Sequence, residues 1–337
     1  MTHLVRTLLD WIDIPSVTGA ERDYGDALCT RLTRAGFAVE RQRLPDGRFN
    51  VLAHAGRPQV VLCTHQDTVP PWLPPREDGE RVYGRGSCDA KGQAAAMIAA
   101  AERLLASRED RIGMLFTVSE ETDSAGAAFA DRALAPPWDP RFVLIGEPTD
   151  GRFVQSGKGI FKVRLSARGV AGHSSQVGGT SAIHELVHCA HRLLAEKWGD
   201  DARFGEGTLN IGCIDGGVAA NVVAADAHAD VLVRTVEPID VVRARVERAL
   251  SPHVSLAETS KAYGPIEFLV PPGEEGVRVA FGTDAPHMPR WGRPLLFGPG
   301  SIRDAHTDHE QIEKKDLEAA VHTIEATVRE LLARCDA

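Results

Sequence analysis

The sequence has little of what marks membrane-spanning, secreted or nucleic-acid-binding proteins. No apolar run approaches the roughly 20 residues that a membrane-spanning helix requires. Lysine and arginine form no runs and the net charge is −9, so nucleic acid and anionic membranes are poor partners. The first residues lack the basic, apolar and small-residue segments of a signal peptide, and the six cysteines form no CxxC pair. These absences predict a cytoplasmic protein with no nucleic-acid or membrane partner.

Three continuous apolar runs predict the strands of an α/β domain. They lie at 59–63, 112–118 and 141–145. Such runs are typical of strands that are covered on both faces. A helix is predicted over 91–107, where the Ala94–Ala96 run permits close approach to a sheet. Upstream, Thr18 and Glu21 have the spacing of a capping box before another helix. The pattern predicts an α/β fold whose mixed central sheet is flanked by helices.

The period of the pattern changes in the middle of the chain. The stretches 161–168 and 226–234 alternate apolar and polar residues, as half-exposed antiparallel strands do. We therefore predict a smaller α+β domain over 158–269, inserted into a larger domain formed by 1–157 and 270–337.

Histidines and carboxylates follow the predicted strands of the larger domain. They are His65, Asp89, Glu120, Glu121, Glu147 and His306. Imidazole and carboxylate donors without thiolates suit two divalent ions that share a bridging carboxylate. Of the adjacent Glu120 and Glu121, one would bind metal while the other takes a proton from a water held between the ions. Asp67, two residues beyond His65, would orient that imidazole.

The same sequence offers three competing interpretations of the function. Residues 184–188 have the HExxH form of the zincin metalloproteases, but Leu194 stands where the longer form of that motif has a histidine. Cys88 could serve as a nucleophile, but no base is placed for it. A non-enzymatic alternative is a metal- or ligand-binding relative that has lost catalysis. Its expected mark is a missing ligand or base, and neither is missing.

Five stretches together resemble one known family. They are HQDTVP, GRGSCDAKG, VSEET, GEPT and GPGSIRDAHTDHE. In that order they resemble the signature stretches of the co-catalytic zinc acylases and metallopeptidases. This family includes acetylornithine deacetylase, succinyl-diaminopimelate desuccinylase, aminoacylase and the glutamate carboxypeptidases. The resemblance covers nearly the whole chain.

The resemblance implies a role for each strand-end residue. The implied assignment is His65 and Glu147 on one ion, Glu121 and His306 on the other, Asp89 bridging both, and Glu120 as the general base. The ions implied are two zinc ions, with cobalt or manganese as alternatives. The resemblance leaves unchanged the expectation that Asp67 orients the imidazole of His65.

The resemblance also implies roles for residues in and near the inserted segment. That segment is similar to the family's lid and dimerisation domain, so a homodimer is expected. His173 stands where the family sends a histidine into the partner's active site to stabilise the oxyanion. Asn221, Arg234 and Thr283 match positions that bind the substrate's carboxylate or amide. The sequence departs from the family after Val270, where only eleven residues precede Gly282.

These observations predict a metal-dependent amidohydrolase that removes a small acyl group from an N-acyl amino acid. The motifs are most similar to those of acetylornithine deacetylase, which implies hydrolysis of N-acetylornithine or N-acetylcitrulline in arginine biosynthesis. The alternatives within the family are a succinyl-diaminopimelate desuccinylase and a dipeptidase or carboxypeptidase.

Overall fold

The computed structural model describes residues 2–175, 178–260 and 262–336. Within them the chain forms two compact units. The first contains the residues up to Gln155, Phe268–Val277 and the residues from Thr283 onward, and the second contains Ser156–Glu267 and Arg278–Gly282. No helix in the described part of the chain combines the length and hydropathy needed to cross a membrane.

Seven α-helices and two short 3-10 helices are present among the described residues. The helices are α1 His3–Ile12, α2 Arg22–Ala35, α3 Lys91–Ala106, α4 Ala125–Arg132, α5 Ala182–Ala195, α6 Ile239–Ala249 and α7 Lys314–Cys335, with 3-10 turns at Ala285–His287 and Pro289–Trp291. The strands are β1 Ala38–Arg43, β2 Phe49–His54, β3 Val60–His65, β4 Arg76–Glu77, β5 Arg81–Tyr83, β6 Ile112–Thr117, β7 Phe142–Ile145, β8 Val154–Gly157, β9 Gly159–Arg168, β10 Gly172–His173, β11 Asp200–Asp201, β12 Gly205–Glu206, β13 Thr208–Gly216, β14 Val222–Val223, β15 Asp226–Thr235, β16 Val254–Glu258, β17 Ile266–Glu267, β18 Val277–Val279, β19 Arg293–Leu296 and β20 Gln311–Glu313.

The first unit is built on a six-stranded sheet with the order β1-β2-β6-β3-β7-β19. Strands β6, β3, β7 and β19 run parallel, while β1 and β2 form an antiparallel edge. Every residue of β3, β6 and β7 is buried, which explains why these strands are continuous apolar runs. The predicted α/β fold with a mixed central sheet is confirmed.

Helix α3 is the central helix of this unit. It contacts β3 as well as α1 and α7, and every residue from Lys91 to Ile98 is buried. Ala94, Ala96 and Ala100 have no exposed surface. Short side chains bring the helix axis close to its neighbours, as the Ala94–Ala96 run predicts. The helix begins two residues after Asp89, whose carboxylate contacts His65 at the end of β3, so the N-terminus of α3 lies near the carboxyl edge of the sheet.

The second unit is an antiparallel sheet covered by two helices. Its strand order is β13-β15-β9-β16, and α5 and α6 pack against it. In β9 the buried residues alternate with half-buried and exposed ones, which confirms the alternation found in the sequence. Strand β13 is an edge of this sheet.

Candidate active site

Three neighbouring parallel strands deliver the first candidate ligands. The last residue of β3 is His65, which is aligned with Thr117 at the end of β6. Glu120 and Glu121 follow β6 by a short turn, and Glu147 lies two residues beyond β7. Because parallel strands end at one edge of a sheet, these side chains come together there.

Asp89 lies between the two candidate histidines. Its Oδ1 is 2.9 Å from Nε2 of His65 and its Oδ2 is 3.3 Å from Nε2 of His306. Nε2 of His306 is also 3.0 Å from Oε2 of Glu121, and Nε2 of His65 is 4.0 Å from Oε2 of Glu147. One carboxylate thus presents an oxygen to each imidazole, which is the arrangement expected of a ligand that bridges two ions.

The donor atoms form two overlapping groups suited to metal ions. One group contains His65, Glu120 and Glu147, and the other contains His65, Asp89 and Glu121; within each group the donor atoms lie within 4.8 Å of one another. Like charges about 4 Å apart repel by about 4 kcal/mol at an effective dielectric constant near 20. Four carboxylates packed at this edge therefore require compensating positive charge. Divalent cations would supply that charge, so the residues fit the expected metals.

The pKa values reflect this crowding. Burial, together with the charge of Glu120, raises the pKa of Glu147 well above its usual range. Burial likewise raises the pKa of Glu120. Burial opposes ionisation of Asp89, but hydrogen bonds from His306 and His65 outweigh it and hold the pKa of Asp89 below its usual range. Hydrogen bonds to Asp89 and Glu121 raise the pKa of His306 to about 10. The acids of this cluster thus ionise readily only where a cationic group faces them.

Asp67 holds the turn that carries the two glutamates. Its Oδ1 accepts the N–H of Glu120 at 3.0 Å and its Oδ2 accepts the N–H of Glu121 at 3.2 Å. Nδ1 of His65 lies 2.8 Å from the main-chain oxygen of Asp67 and 3.6 Å from its carboxylate. A proton on Nδ1 would leave the Nε2 lone pair free for a metal. The carbonyl oxygen of Asp67 is therefore closer to this imidazole than its carboxylate is.

The expected capping box at α2 is wrong. The helix begins after Glu21 without a side-chain cap, and the hydroxyl of Thr18 donates to Oδ2 of Asp67 at 2.8 Å. The hydroxyl of Thr18 is close in sequence to the start of α2, but it bonds to the carboxylate of Asp67 because a charged acceptor forms a stronger hydrogen bond than a neutral one.

Two site residues have left-handed backbone conformations. Ser119, just before the glutamates, has φ 66°, and His306 has φ 64°. Non-glycine residues in this region carry strain that the surrounding contacts must offset. Ser119 is held by Arg48, which also pairs with Glu21 at 3.2 Å. The turn before Glu120 is therefore held in the conformation that presents the two glutamates.

Two of the residues predicted in the second unit, His173 and Asn221, are neighbours on its surface. His173 and Asn221 are both exposed, and the N–H of Ser174 donates to the main-chain oxygen of Asn221 at 3.0 Å. Arg234 is half-buried in β15. Its Nη1 is shielded from solvent and has no hydrogen-bond partner among the described residues.

The HExxH residues lie on the exposed side of α5. His184 and His188 are both exposed. Neither belongs to a group of donors close enough to hold a metal in the described part of the chain. The two histidines therefore lie one helical turn apart on an exposed surface, and the residues that the structure describes give no support to a zincin site there.

Thr283 is buried in the first unit, where its hydroxyl accepts the N–H of Ala285 at 3.2 Å. The next residue, Asp284, accepts a hydrogen bond from the hydroxyl of Thr117 at 2.6 Å. Burial raises the pKa of Asp284 to about 6. The sequence reasoning missed Asp284, although it lies beside Thr283 in the GTDA stretch.

The sequence reasoning also missed an ion pair beside the site. Oε2 of Glu310 lies 2.8 Å from Nη1 of Arg85, and both side chains are buried. Each residue belongs to one of the family-like stretches, so the signal was present. Only the tertiary structure shows that the two residues meet.

Comparison with known proteins identifies the family. The model of Peptidase family M20/M25/M40 matches residues 61–330. A probable carboxypeptidase of Aspergillus terreus is 38% identical over 359 residues, covering 93% of this chain and 82% of that protein. A Peptidase M20 domain-containing protein of Schizosaccharomyces pombe is 36% identical over 319 residues, covering 91% of this chain and 79% of that protein.

The fold agrees with this family. A solved tripeptidase of Staphylococcus aureus superposes with a TM-score of 0.78 at 21% identity, covering 96% of both chains. Metallopeptidases of family M20 use divalent metals, and the candidate ligand groups described above are of the matching kind. This chain belongs to Peptidase family M20/M25/M40 and is a hydrolase that acts on amide bonds.

Proposed function

We propose that this chain is a metal-dependent carboxypeptidase or dipeptidase that cleaves a small peptide next to a free carboxylate. One observation favours a substrate with a free carboxylate: Nη1 of Arg234 is shielded from solvent and has no hydrogen-bond partner among the described residues. A buried donor without an acceptor is costly, and a substrate carboxylate would supply the acceptor. The probable carboxypeptidase of Aspergillus terreus, 38% identical to this chain, supports the same choice.

Acetylornithine deacetylase, the activity that the sequence motifs favoured, has less support. The curated relatives described above are named as a carboxypeptidase and as a peptidase-domain protein. N-Acetylornithine, N-acetylcitrulline and N-succinyl-diaminopimelate nevertheless share a free carboxylate with peptide substrates. They therefore belong in the same substrate panel, where each tests one of the narrower activities.

The metal ligands proposed are those implied by the resemblance. They are His65 and Glu147 for one ion, Glu121 and His306 for the other, and Asp89 for both. Zinc is the proposed metal, with cobalt or manganese as alternatives, because imidazole and carboxylate donors accept all three. Bound divalent ions would acidify a water molecule and polarise the scissile carbonyl group.

Glu120 is the proposed general base. The carboxylate of Asp67 accepts the N–H groups of Glu120 and Glu121, so the main chain from which the Glu120 side chain projects is held in place. The raised pKa of Glu120 suits a group that takes a proton from water and returns it to the leaving amine. Glu121, one residue later, instead faces His306.

His173 is the proposed oxyanion donor. Its Nδ1 accepts the N–H of Ser175 at 3.2 Å, so the neutral ring carries its proton on Nε2. That N–H is an available donor on an exposed side chain and could stabilise developing negative charge. Asn221 lies beside it, and with Thr283 it is proposed to contact the substrate's amide or carboxylate.

The proposed function is tested with a panel of dipeptides, N-acetyl amino acids and N-succinyl-diaminopimelate on zinc-loaded protein. We expect cleavage of dipeptides with a free carboxylate and at least about tenfold weaker cleavage of their C-terminal amides. Arg234→Met should remove this preference by raising KM for the free acids about 10- to 100-fold, as the loss of a charge-assisted bond worth about 1.5–3 kcal/mol requires.

Arg164→Met is the matched control for the Arg234 variant. Arg164 lies in the same sheet but pairs with Asp230 at 2.7 Å on the surface, so its loss should leave KM unchanged. Equal cleavage of acids and amides by the wild-type protein would contradict a carboxylate-ended substrate. Preferred hydrolysis of N-acetylornithine would favour the deacetylase instead.

We also propose that the second unit forms a homodimer. Val187 and Leu194 are 48% and 65% exposed on one side of α5, and Ile214 is 57% exposed on the neighbouring edge strand β13. Exposed apolar side chains on adjacent elements mark an interaction surface, and an unpaired edge strand can pair with a second copy.

The double variant Val187→Asp, Leu194→Asp is expected to be a monomer, since two buried charges would be left unpaired at the interface. Light scattering after size exclusion measures the mass, and Val241→Asp, at a 41% exposed residue of α6, is the control. A fall in kcat in the monomer is expected if His173 acts on the partner's site. An unchanged mass would contradict the proposed interface, and a monomer with full kcat would contradict the trans role.

A cytoplasmic location is proposed as well. All six cysteines are free thiols, including the exposed Cys213. Reducing compartments keep thiols in this state. The buried cysteines, such as Cys63 and Cys88, behave as small apolar residues.

A further inference from the structure

A buried carboxylate outside the ligand set, Glu310, binds the loop that carries Asp89. Its Oε1 accepts the main-chain N–H groups of Gly86, Cys88 and Asp89 at 3.0, 3.1 and 3.0 Å. Its Oε2 receives Nη1 of Arg85 at 2.8 Å. Neither side chain of this ion pair is more than 2% exposed. Four donors from one short loop thus converge on a single carboxylate.

The same residue is tied to the second ligand loop. Glu310 follows His306 by four positions, and its carbonyl oxygen accepts the N–H of Gly84 at 3.1 Å. Asp89 and His306 meet at 3.3 Å between Oδ2 and Nε2. Their contact joins two loops that are distant in the chain, and Glu310 links those loops through its main chain and its side chain.

A purely stabilising role explains this arrangement poorly. Desolvation offsets the attraction in a buried ion pair, so apolar packing would serve stability at least as well. A carboxylate that accepts several N–H groups has a different effect, because it fixes the direction of each peptide group. Here the last of those peptide groups belongs to Asp89 itself.

We infer that Glu310, supported by Arg85, is a positioning residue that holds Asp89 against His306 for the ion that these two residues share with Glu121. The inference rests on the metal ligands assigned in the proposed function. His65, at the end of β3, and Glu147, just beyond β7, are positioned by the sheet. The ion they hold should therefore depend on Glu310 much less.

The test is zinc binding by the Glu310→Gln protein. Glutamine keeps the size of the side chain, but it has only one acceptor oxygen for two sets of donors. We expect the affinity for the second zinc ion, which His306 and Glu121 hold, to fall about 10- to 100-fold, as for other residues that orient a ligand. The affinity for the first zinc ion, which His65 and Glu147 hold, should fall less than about threefold. Isothermal titration of the metal-stripped, full-length protein with zinc measures both affinities, and plasma mass spectrometry after dialysis measures the zinc content.

Glu102→Gln is the matched control. Glu102 pairs with Arg31 at 2.7 Å in the same unit but lies outside the ligand loops, so both affinities should stay at wild-type values. If Glu310→Gln does not fold, Arg85→Lys replaces it, since lysine keeps the charge but loses the guanidinium geometry. The same selective loss, of smaller size, is expected.

The outcomes separate this inference from the proposed function. Two ions bound with wild-type affinities by Glu310→Gln, or equal weakening of both, would overturn the positioning role alone. A wild-type protein that binds fewer than two zinc ions would overturn the two-ion site and this inference with it. Selective loss of the second ion supports both.

Discussion

Replacing Glu120 with glutamine is expected to lower kcat about 1,000-fold while the protein keeps its bound metal. An amide of the same size cannot accept the proton of the attacking water, and a positioned general base contributes about 10²- to 10⁴-fold. The loss corresponds to about 4 kcal/mol of transition-state stabilisation. Steady-state kinetics on a cleaved dipeptide and zinc analysis of the same sample measure the two quantities.

Glu121→Gln is the informative control for this prediction. It makes the same chemical change one residue away, at a side chain whose Oε2 lies 3.0 Å from Nε2 of His306. We expect this variant to lose zinc, and excess zinc should restore part of its kcat. The distinction matters because Glu120 is also close enough to His65 and Glu147 to bind an ion. Loss of zinc from the Glu120→Gln protein would make Glu120 a ligand and not the base.

Replacing Asp89 with asparagine is expected to reduce activity at least about 1,000-fold through loss of metal. Both oxygens of Asp89 are in use, one facing His65 and the other facing His306. Asparagine keeps one oxygen and removes the negative charge, so both ions lose a charged ligand. Metal ions contribute several kcal/mol to transition-state stabilisation, and about 4 kcal/mol corresponds to about 1,000-fold in rate.

Zinc content by plasma mass spectrometry and kcat/KM on the same sample check the Asp89 prediction. The control is Asp26→Asn, which removes a surface carboxylate paired with Arg41 at 2.8 Å. An exposed pair of this kind contributes little to stability, so zinc content and activity should stay unchanged. An Asp89→Asn protein that keeps two ions and full activity would contradict the bridging role.

The strands that carry the site were predictable because their signal is local. A strand covered on both faces is a continuous apolar run, and the polar residue that ends the run appears in the sequence as His65 or Glu147. The alternation of β9 is local in the same way. Helix α3 was predictable from its alanines, whose short side chains permit close packing against a sheet.

Contacts between distant residues were not predictable from these patterns. Thr18 has the spacing of a helix cap, but its hydroxyl bonds to Asp67. Asp67 was expected to orient His65, but nothing in its position along the chain indicates that its carboxylate accepts the N–H of Glu120. A spacing rule describes neighbours along the chain, whereas a buried carboxylate binds whichever donors the packing brings to it.

The amino-acid sequence was sufficient to predict the types of donor atom, their places after apolar runs, and the family that the five stretches resemble. How those donors meet became visible only in the folded chain. Asp89 lies between His65 and His306 because the start of α3 and the loop after β19 reach the same edge of the sheet. Glu310 joins Arg85 across 225 positions of the chain. Such contacts depend on strand order and helix packing, which are collective properties of the core and leave no periodic trace in the sequence.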